Sequence, residues 1–452
     1  MKIAIIGAGF AGLSAAWDLA GNGHEVTVFD ALDRAGGLAA GFKDADWDWQ
    51  LEHFYHHLFL SDEDMLGLTE EIGFRTKIRV LQPVSASWWQ GKAWPLDGPV
   101  EILRFPAMPF LDRVRMGAVG AWLKFAADWK HLEQVTAHEW LPRWMGPRAY
   151  AAVWEPLLLG KFGPMHYRNV PMSWLWARLR ARTFRLGYPE GGFQALADAL
   201  AEAVRGRGVS IRLSEPVRTL RHVPADTEPR TESSGASPTA RPTWIVESAA
   251  GETEFDAVLA TTGPGLLGRL APQLPPEYLA RLNSLDHLGA VVLVLALDRS
   301  LLTDGTYWLN MDKRDFPFLA VVEHTNLVDR RHYGGDHLLY VGDYLPPDHP
   351  FVTGDEEAVS AAWLPALERI RPDFDPSWIR RSWLFRAEYA QPVVPTGFSA
   401  HVPPLATPLP GLYLASMSQV YPWDRGTNFA VEIGRRAAAT VLREMGTSSS
   451  RG

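Results

Sequence analysis

The feature that most constrains the chain is its opening. KIAIIG is a short apolar run, GAGFAG a glycine turn, LSAAWDLAGNG a helical segment with its stop, and HEVTVFD a second apolar run. Apolar runs of this length bounded by glycine read as strands, and the segment between them carries a helical period, so the order is strand, helix, strand. Gly7, Gly9 and Gly12 stand at G-x-G-x-x-G spacing. The first permits the tight turn, the second lets a pyrophosphate approach the backbone, and the third lets the helix pack on the strand. Asp30 ends the second strand, where a carboxylate accepts hydrogen bonds from ribose hydroxyls. The unit predicts a dinucleotide site with the phosphates at the helix amino terminus.

Asp33-Arg34-Ala35-Gly36-Gly37-Leu38 follows directly. This stretch resembles the DRxGG segment of the FAD-dependent amine oxidase, protoporphyrinogen oxidase and phytoene desaturase superfamily. The resemblance implies an α/β fold, a Rossmann-like FAD-binding domain of the glutathione-reductase type, amine oxidase subclass, with an inserted α+β substrate domain. It also implies that Arg34, Gly36, Gly37 and Leu38 lie along the cofactor. A planar cation suits phosphate, and paired glycines allow close backbone approach.

Residues 188 to 220 read as a turn, an amphipathic helix with Phe193, Leu196, Leu200 and Val204 on one face, and a strand after Gly208. They resemble the family segment that delivers a residue to the adenine, which makes Val217 a backbone contact. GLYLASMSQVYPWDRGTNFAVEIGRRAAATVL reads as strand, loop and helix, and resembles the family's final FAD motif, whose helix directs its amino terminus at the flavin. A positive helix end there stabilises charge that develops on reduction. By this likeness Trp423, Asp424, Gly426, Thr427 and Asn428 are cofactor contacts. Relatives often close the strand with Gly-Asp where this chain has LASMSQ, so Asp424 is taken for the ribityl hydroxyls. Tyr421 is placed as an aromatic wall for the substrate and a candidate catalytic side chain.

The resemblance is good at both ends and over 188–263, and weak elsewhere. A discontinuous FAD-binding domain is therefore expected over 1–75, 188–265 and 405–445, and a substrate domain over 76–187 and 266–404, helical over about 100–185. Residues 221–243, rich in Pro, Ser, Thr and charge, read as a flexible loop. TWIVES and EFDAVLATTG read as a hairpin, and 446–452 as a disordered tail.

Trp47 to Glu52 alternate like a strand and lead into His53, His56 and His57. In the superfamily this strand passes beside the flavin, so these histidines, His56 foremost, are candidates for substrate contact or proton transfer. Structural roles account for at least two of the three. Seven tryptophans lie between 122 and 176, with Trp122, Phe125 and Trp129 at i, i+3, i+7 and Trp140 and Trp144 at i, i+4. Core packing is the plain reading, and an apolar cavity or membrane-facing surface the other. Lys161, in LLLGKFG, is set in an apolar stretch from which it reaches a flavin or an anionic substrate, although an exposed loop position explains it more simply.

Composition narrows the chemistry. There is no cysteine, which removes thiolate nucleophiles, iron–sulfur sites and a cysteinyl flavin link. Redox chemistry then rests on non-covalently bound FAD. No metal is expected, since neither HExxH nor a two-His-one-carboxylate spacing occurs. A net charge of −8 argues against a nucleic-acid partner. The best apolar stretch, near 114–127, is interrupted by Lys124 and is too short to span a bilayer. The expected protein is cytoplasmic, with 19 tryptophans that admit peripheral membrane contact, a small and apolar or amine substrate, and no sequence signature of its oligomeric state. The expected reaction moves a hydride from a C–N or C–C bond to flavin N5. Two alternatives stand beside it. One is a non-redox flavoenzyme resembling UDP-galactopyranose mutase, with Arg178, Arg180, Arg182 and Arg185 around a diphosphate. The other is an FAD-binding protein without turnover.

Overall fold

The structure is a computed structural model that describes residues 1–224, 243–354 and 356–447. Strands Lys2–Ile6 and Glu25–Phe29 pair in parallel around the helix Phe10–Gly21, as the opening requires. They belong to a five-stranded, wholly parallel sheet in the order Ser210–Arg212, Glu25–Phe29, Lys2–Ile6, Ala257–Ala260, Leu412–Leu414. One face buries Ile3, Ile5, Val26 and Val28 against helices Phe10–Gly21, Gly192–Gly206 and Thr427–Thr447. The apolar positions Phe193, Leu196, Leu200 and Val204 are all buried there. The other face packs Ala4, Phe29 and Val258 against an antiparallel sheet of Val217–Val223, Thr243–Ser248 and Gly251–Phe255, with Trp244 at its centre.

The opening and closing helices touch backbone to side chain. A Cβ on Gly434 would lie 2.2 Å from the Ala11 carbonyl oxygen, so only glycine permits the approach. Ser14 Oγ donates to the Val431 carbonyl across the same seam at 3.3 Å.

A seven-stranded sheet draws its strands from the two remaining stretches, in the order Ile379–Pro392, His287–Leu297, His337–Leu345, Ala320–Glu323, Trp308–Asn310, Ser85–Trp89, Lys92–Pro95. Strand His287–Leu297 shows the period of two: Val291 and Leu293 face the helix Glu356–Leu367, while Ala290 and Val292 face a cavity. Helices between Pro99 and Ala181 close the far side of that cavity around Leu123, Leu141, Leu158 and Trp174. Among the described residues no helix is long and apolar enough to cross a membrane.

The structure corrects several local expectations. Trp47 to Glu52 is not one strand; only Leu51–Glu52 pairs, and Trp47 turns inward against Tyr333 and Trp383. EFDAVLATTG is split, because Phe255 ends the hairpin and Ala257–Ala260 enters the parallel sheet. The loop expected at 221–243 is shorter, since strand Val217–Val223 continues through 221–223 and Thr243 starts the next strand; 225–242 lie outside the described residues. Residues 446 and 447 of the expected tail prolong the closing helix, and 448–452 lie outside the described residues. The aromatic stripe is not continuous either. Helix Phe110–Phe125 ends before Trp129, which starts a new helix capped by the Asp128 side chain on the Lys130 N–H. Trp122 and Trp144 are half-exposed, each stacked on Trp140, and Phe125 is 74% exposed, so these three do not lie in the core.

Candidate active site

The glycine turn lies at the carboxyl edge of the parallel sheet. Gly7 adopts φ +116°, and a Cβ on Gly12 would stand 1.9 Å from the Gly7 carbonyl oxygen. Gly9 caps the helix without a side chain, so the first-turn N–H groups have no side-chain partner. Asp30 holds the turn in shape, accepting from the Ala8 N–H at 2.7 Å and the Leu32 N–H at 2.8 Å. The second glycine turn lies alongside, with the Gly36 N–H donating to the Ala8 carbonyl at 2.9 Å and Gly9 bridging to Gly36. Arg34 donates to the Gly41 carbonyl at 2.6 Å and to both oxygens of Asp33 at 2.9 and 3.1 Å. The sheet that carries Val217 shifts register between Val217 and Thr219. Uncapped N–H groups, a surface without side chains and a nearby guanidinium fit the phosphates of a dinucleotide.

At the amino end of the closing helix lies a cavity of about 1480 Å³, larger than the roughly 300–1,000 Å³ that one small ligand fills. Leu38, His56, Trp423, Gly426, Thr427 and Asn428 all line it. Thr427 begins the closing helix and Gly426 precedes it, so that helix directs its positive end at the cavity. Asn428 accepts from the Met65 N–H at 3.0 Å, which ties the closing helix to helix Glu63–Glu71. Trp423 stacks on Phe429 at 5.5 Å and leans on Trp176. At the opposite end the lining comes to the surface through Leu103, Val114, Phe125 and Phe184, all exposed.

A charged cluster sits in the wall between these ends. Asp424 Oδ2 accepts from Arg178 at 2.6 Å and lies 3.6 Å from Lys161 Nζ, while Gln391 donates to its other oxygen at 3.3 Å. Burial alone would raise the Asp424 pKa, but Lys161 and Arg178 bring it down to about 2. Burial pushes the Lys161 ammonium well below the ordinary lysine range; Asp424 opposes that, and Arg425 and Arg178 add to it. Asp424 is thus engaged by Arg178, Lys161 and Gln391. Lys161 is on a helix and buried, not on an exposed loop.

The histidines separate. His56 and His57 line the cavity, whereas His53 is stacked on Phe385 at 4.2 Å away from it. Burial lowers His56 to about 4 despite its 2.6 Å contact with the Phe54 carbonyl, and lowers His57 to about 3, so both rings are neutral at pH 7. Tyr421 does not line the large cavity; its hydroxyl pairs with Ser173 at 2.7 Å and its ring meets Trp129 and Phe398 edge-on. The sequence also missed Arg425, Gln391 and Tyr344. Arg425 stands one residue after Asp424 in a loop already singled out, and that adjacency was the available signal.

A parallel sheet with an uncapped glycine turn at its edge, and a cavity between a second sheet and a helical layer at which the closing helix points, define a dinucleotide-binding architecture. The model of the flavin-containing amine oxidoreductase family matches residues 10–442, and the chain belongs to that family. The chain is 24% identical over 253 residues to a neurosporene-forming phytoene desaturase of Rhodobacter capsulatus, a match covering 48% of this chain and 46% of the desaturase. The aligned stretch therefore spans about half the length of that relative. Among solved structures it resembles cyclohexylamine oxidase from Brevibacterium oxydans, with a TM-score of 0.69 at 16% identity over 98% of this chain and 99% of the other. It also resembles reduced UDP-galactopyranose mutase, with a TM-score of 0.72 at 16% identity over 98% and 95%. The fold is shared by different chemistries, so the site must decide among them.

Proposed function

We propose that the protein is a FAD-dependent oxidoreductase that removes a hydride from an apolar organic substrate, with the cofactor held non-covalently. One observation carries this reading: a single cavity connects the flavin-end residues Leu38 and Thr427 to an apolar rim at Phe125 and Phe184. The residues fitted to the cofactor are the Gly7–Gly12 turn, Arg34, Gly36, Gly37, Leu38, Val217 and the amino end of the closing helix. When bound, FAD supplies the hydride acceptor. The apolar walls orient the substrate and exclude water. Lys161, whose neutral form is favoured by burial, takes the proton that leaves with the hydride, and Asp424 stabilises the ammonium so formed. The absence of cysteine supports non-covalent attachment by removing the thioether link.

The mutase reading is less well supported, because a diphosphate needs several uncommitted arginines. Arg178 is paired with Asp424, Arg182 with Asp97 at 3.2 Å, and Arg180 donates to the Lys124 carbonyl. The test is a reductive half-reaction. Purified protein should be yellow, release FAD on heating, and bleach when mixed anaerobically with apolar amines or polyenes. A colourless protein that FAD cannot reconstitute refutes the reading. Turnover of a sugar nucleotide only after prior reduction favours the mutase, and a flavin that no substrate bleaches favours binding without turnover.

A further inference from the structure

The surplus positive charge in the cavity wall identifies a ligand group that the apolar walls do not. Arg425 lines the cavity beside Tyr344, its guanidinium carbon 4.9 Å from the ring centroid. Its Nε donates to Gln391 Oε1 at 2.8 Å. Gln391 is 1% exposed and is itself fixed, donating to the Pro392 carbonyl at 2.9 Å and to Asp424. Among the described residues no carboxylate lies within 4.0 Å of Arg425, and no protein acceptor engages its terminal nitrogens. The guanidinium is therefore anchored at one edge and offers its other edge to the cavity.

The neighbouring charges cancel without it. Arg178 and Asp424 form one pair at 2.6 Å, and Lys313 and Asp343 another at 2.7 Å. Lys161 is biased to its neutral form by burial and by the two arginines. Arg425 is left without a carboxylate of its own, on a planar fork whose free edge matches two oxygens of a single anion. A buried cation without a counter-charge is costly, so a ligand that supplies one is strongly favoured.

We propose that Arg425 receives the carboxylate of the substrate, which is then an apolar molecule carrying one negative head group. This deepens the function proposed above and rests on it for the apolar remainder. One carboxylate matches the one free edge of this guanidinium, whereas a diphosphate would bring further negative charge beside Asp424 and Asp343.

The experiment is calorimetric titration of the FAD-loaded protein with decanoate, decanol, decylamine and decyl phosphate, a measurement independent of turnover. Decanoate should bind about 10- to 100-fold more tightly than decanol, the gain of charge-assisted hydrogen bonds in a buried site. Arg425→Gln should erase that preference while decanol affinity stays the same, and Arg425→Lys should retain part of it. Retained flavin content and circular dichroism show that the variants are folded. Equal affinity for decanoate and decanol overturns the proposal, as does tighter binding of decyl phosphate or decylamine. So does an Arg425→Gln variant that shifts the flavin potential but keeps the decanoate preference, since the charge would then serve the flavin. If none of the four probes binds, the apolar-cavity reading itself fails; if decanol binds without a carboxylate preference, only the present proposal does.

Discussion

Gly12→Ala is the sharpest perturbation of the cofactor cradle. The added methyl carbon would start 1.9 Å from the Gly7 carbonyl oxygen, well inside the 3.0 Å below which a Cβ contact forces movement. The turn and the helix must therefore separate by roughly 1 Å, and overpacking of this kind costs about 1–3 kcal/mol. The larger effect falls on the cofactor, because N–H groups at the helix start move out of hydrogen-bond range of the phosphates. Losing about two charge-assisted bonds of ~1.5–3 kcal/mol each weakens binding about 10²- to 10⁴-fold. Gly67→Ala is the control: its Cβ meets nothing within 4 Å, and it lies in the helix Glu63–Glu71, where alanine is preferred by about 1 kcal/mol. FAD content per protein, read from absorbance, and FAD affinity of the deflavinated protein should fall in Gly12→Ala and stay constant in Gly67→Ala. A Gly12→Ala protein that keeps stoichiometric FAD at native affinity would refute the assignment of this turn to the phosphates.

Three further outcomes follow from the charged groups. Flavin reduction should slow as pH falls through the lowered Lys161 pKa, and Lys161→Met should lose about 10²-fold or more, measured by anaerobic stopped flow; a Lys161→Met rate with an unchanged pH profile would remove Lys161 from the reaction. Arg178→Gln takes away the nearer partner of Asp424, so the acid limb of that profile should move to higher pH. Stability should drop by about 2 kcal/mol by urea denaturation, less than the full loss of a buried pair because Lys161 remains. Glu52, wholly buried, has its pKa raised from 4.5 to about 7 by burial, despite bonds from the Phe193 N–H and Tyr188 hydroxyl. The folded state then holds this proton over a range where the unfolded chain has released it, so stability contributed by Glu52 declines as pH rises from about 4.5 to about 7. The decline amounts to about 3 kcal/mol, and Glu52→Gln should flatten that part of the stability profile; an unaltered slope would count against it.

How legible each part was depended on sequence distance. The opening unit could be read because its signals are local: apolar runs, a helical period and three glycines within eleven residues of Lys2. The helix Gly192–Gly206 was legible for the same reason. The cluster of Lys161, Arg178, Gln391, Asp424 and Arg425 was not, since Arg178 and Asp424 are 246 residues apart and meet only because the helix Met172–Ala181 reaches the loop before the closing helix. Tyr421 shows the limit of reasoning by proximity. It is two residues from Trp423, yet its ring turns into the helical core toward Ser173 while Trp423 faces the cavity. The aromatic stripe failed differently: spacing alone joined Phe125 to Trp129, although Asp128 immediately before Trp129 was a visible helix start.

The seam between the opening and closing helices also sets an order of events during synthesis. Lys2–Ile6 and the glycine turn are made well before the neighbouring strand Ala257–Ala260, and the helix that packs Gly434 on Ala11 is made later still. On the ribosome the strand Lys2–Ile6 has one edge open until Ala257–Ala260 is made, and the helix Phe10–Gly21 has one face bare until Gly434 follows. The cradle is whole only when the closing helix has emerged, so a cofactor held there joins segments of the chain that are synthesised far apart.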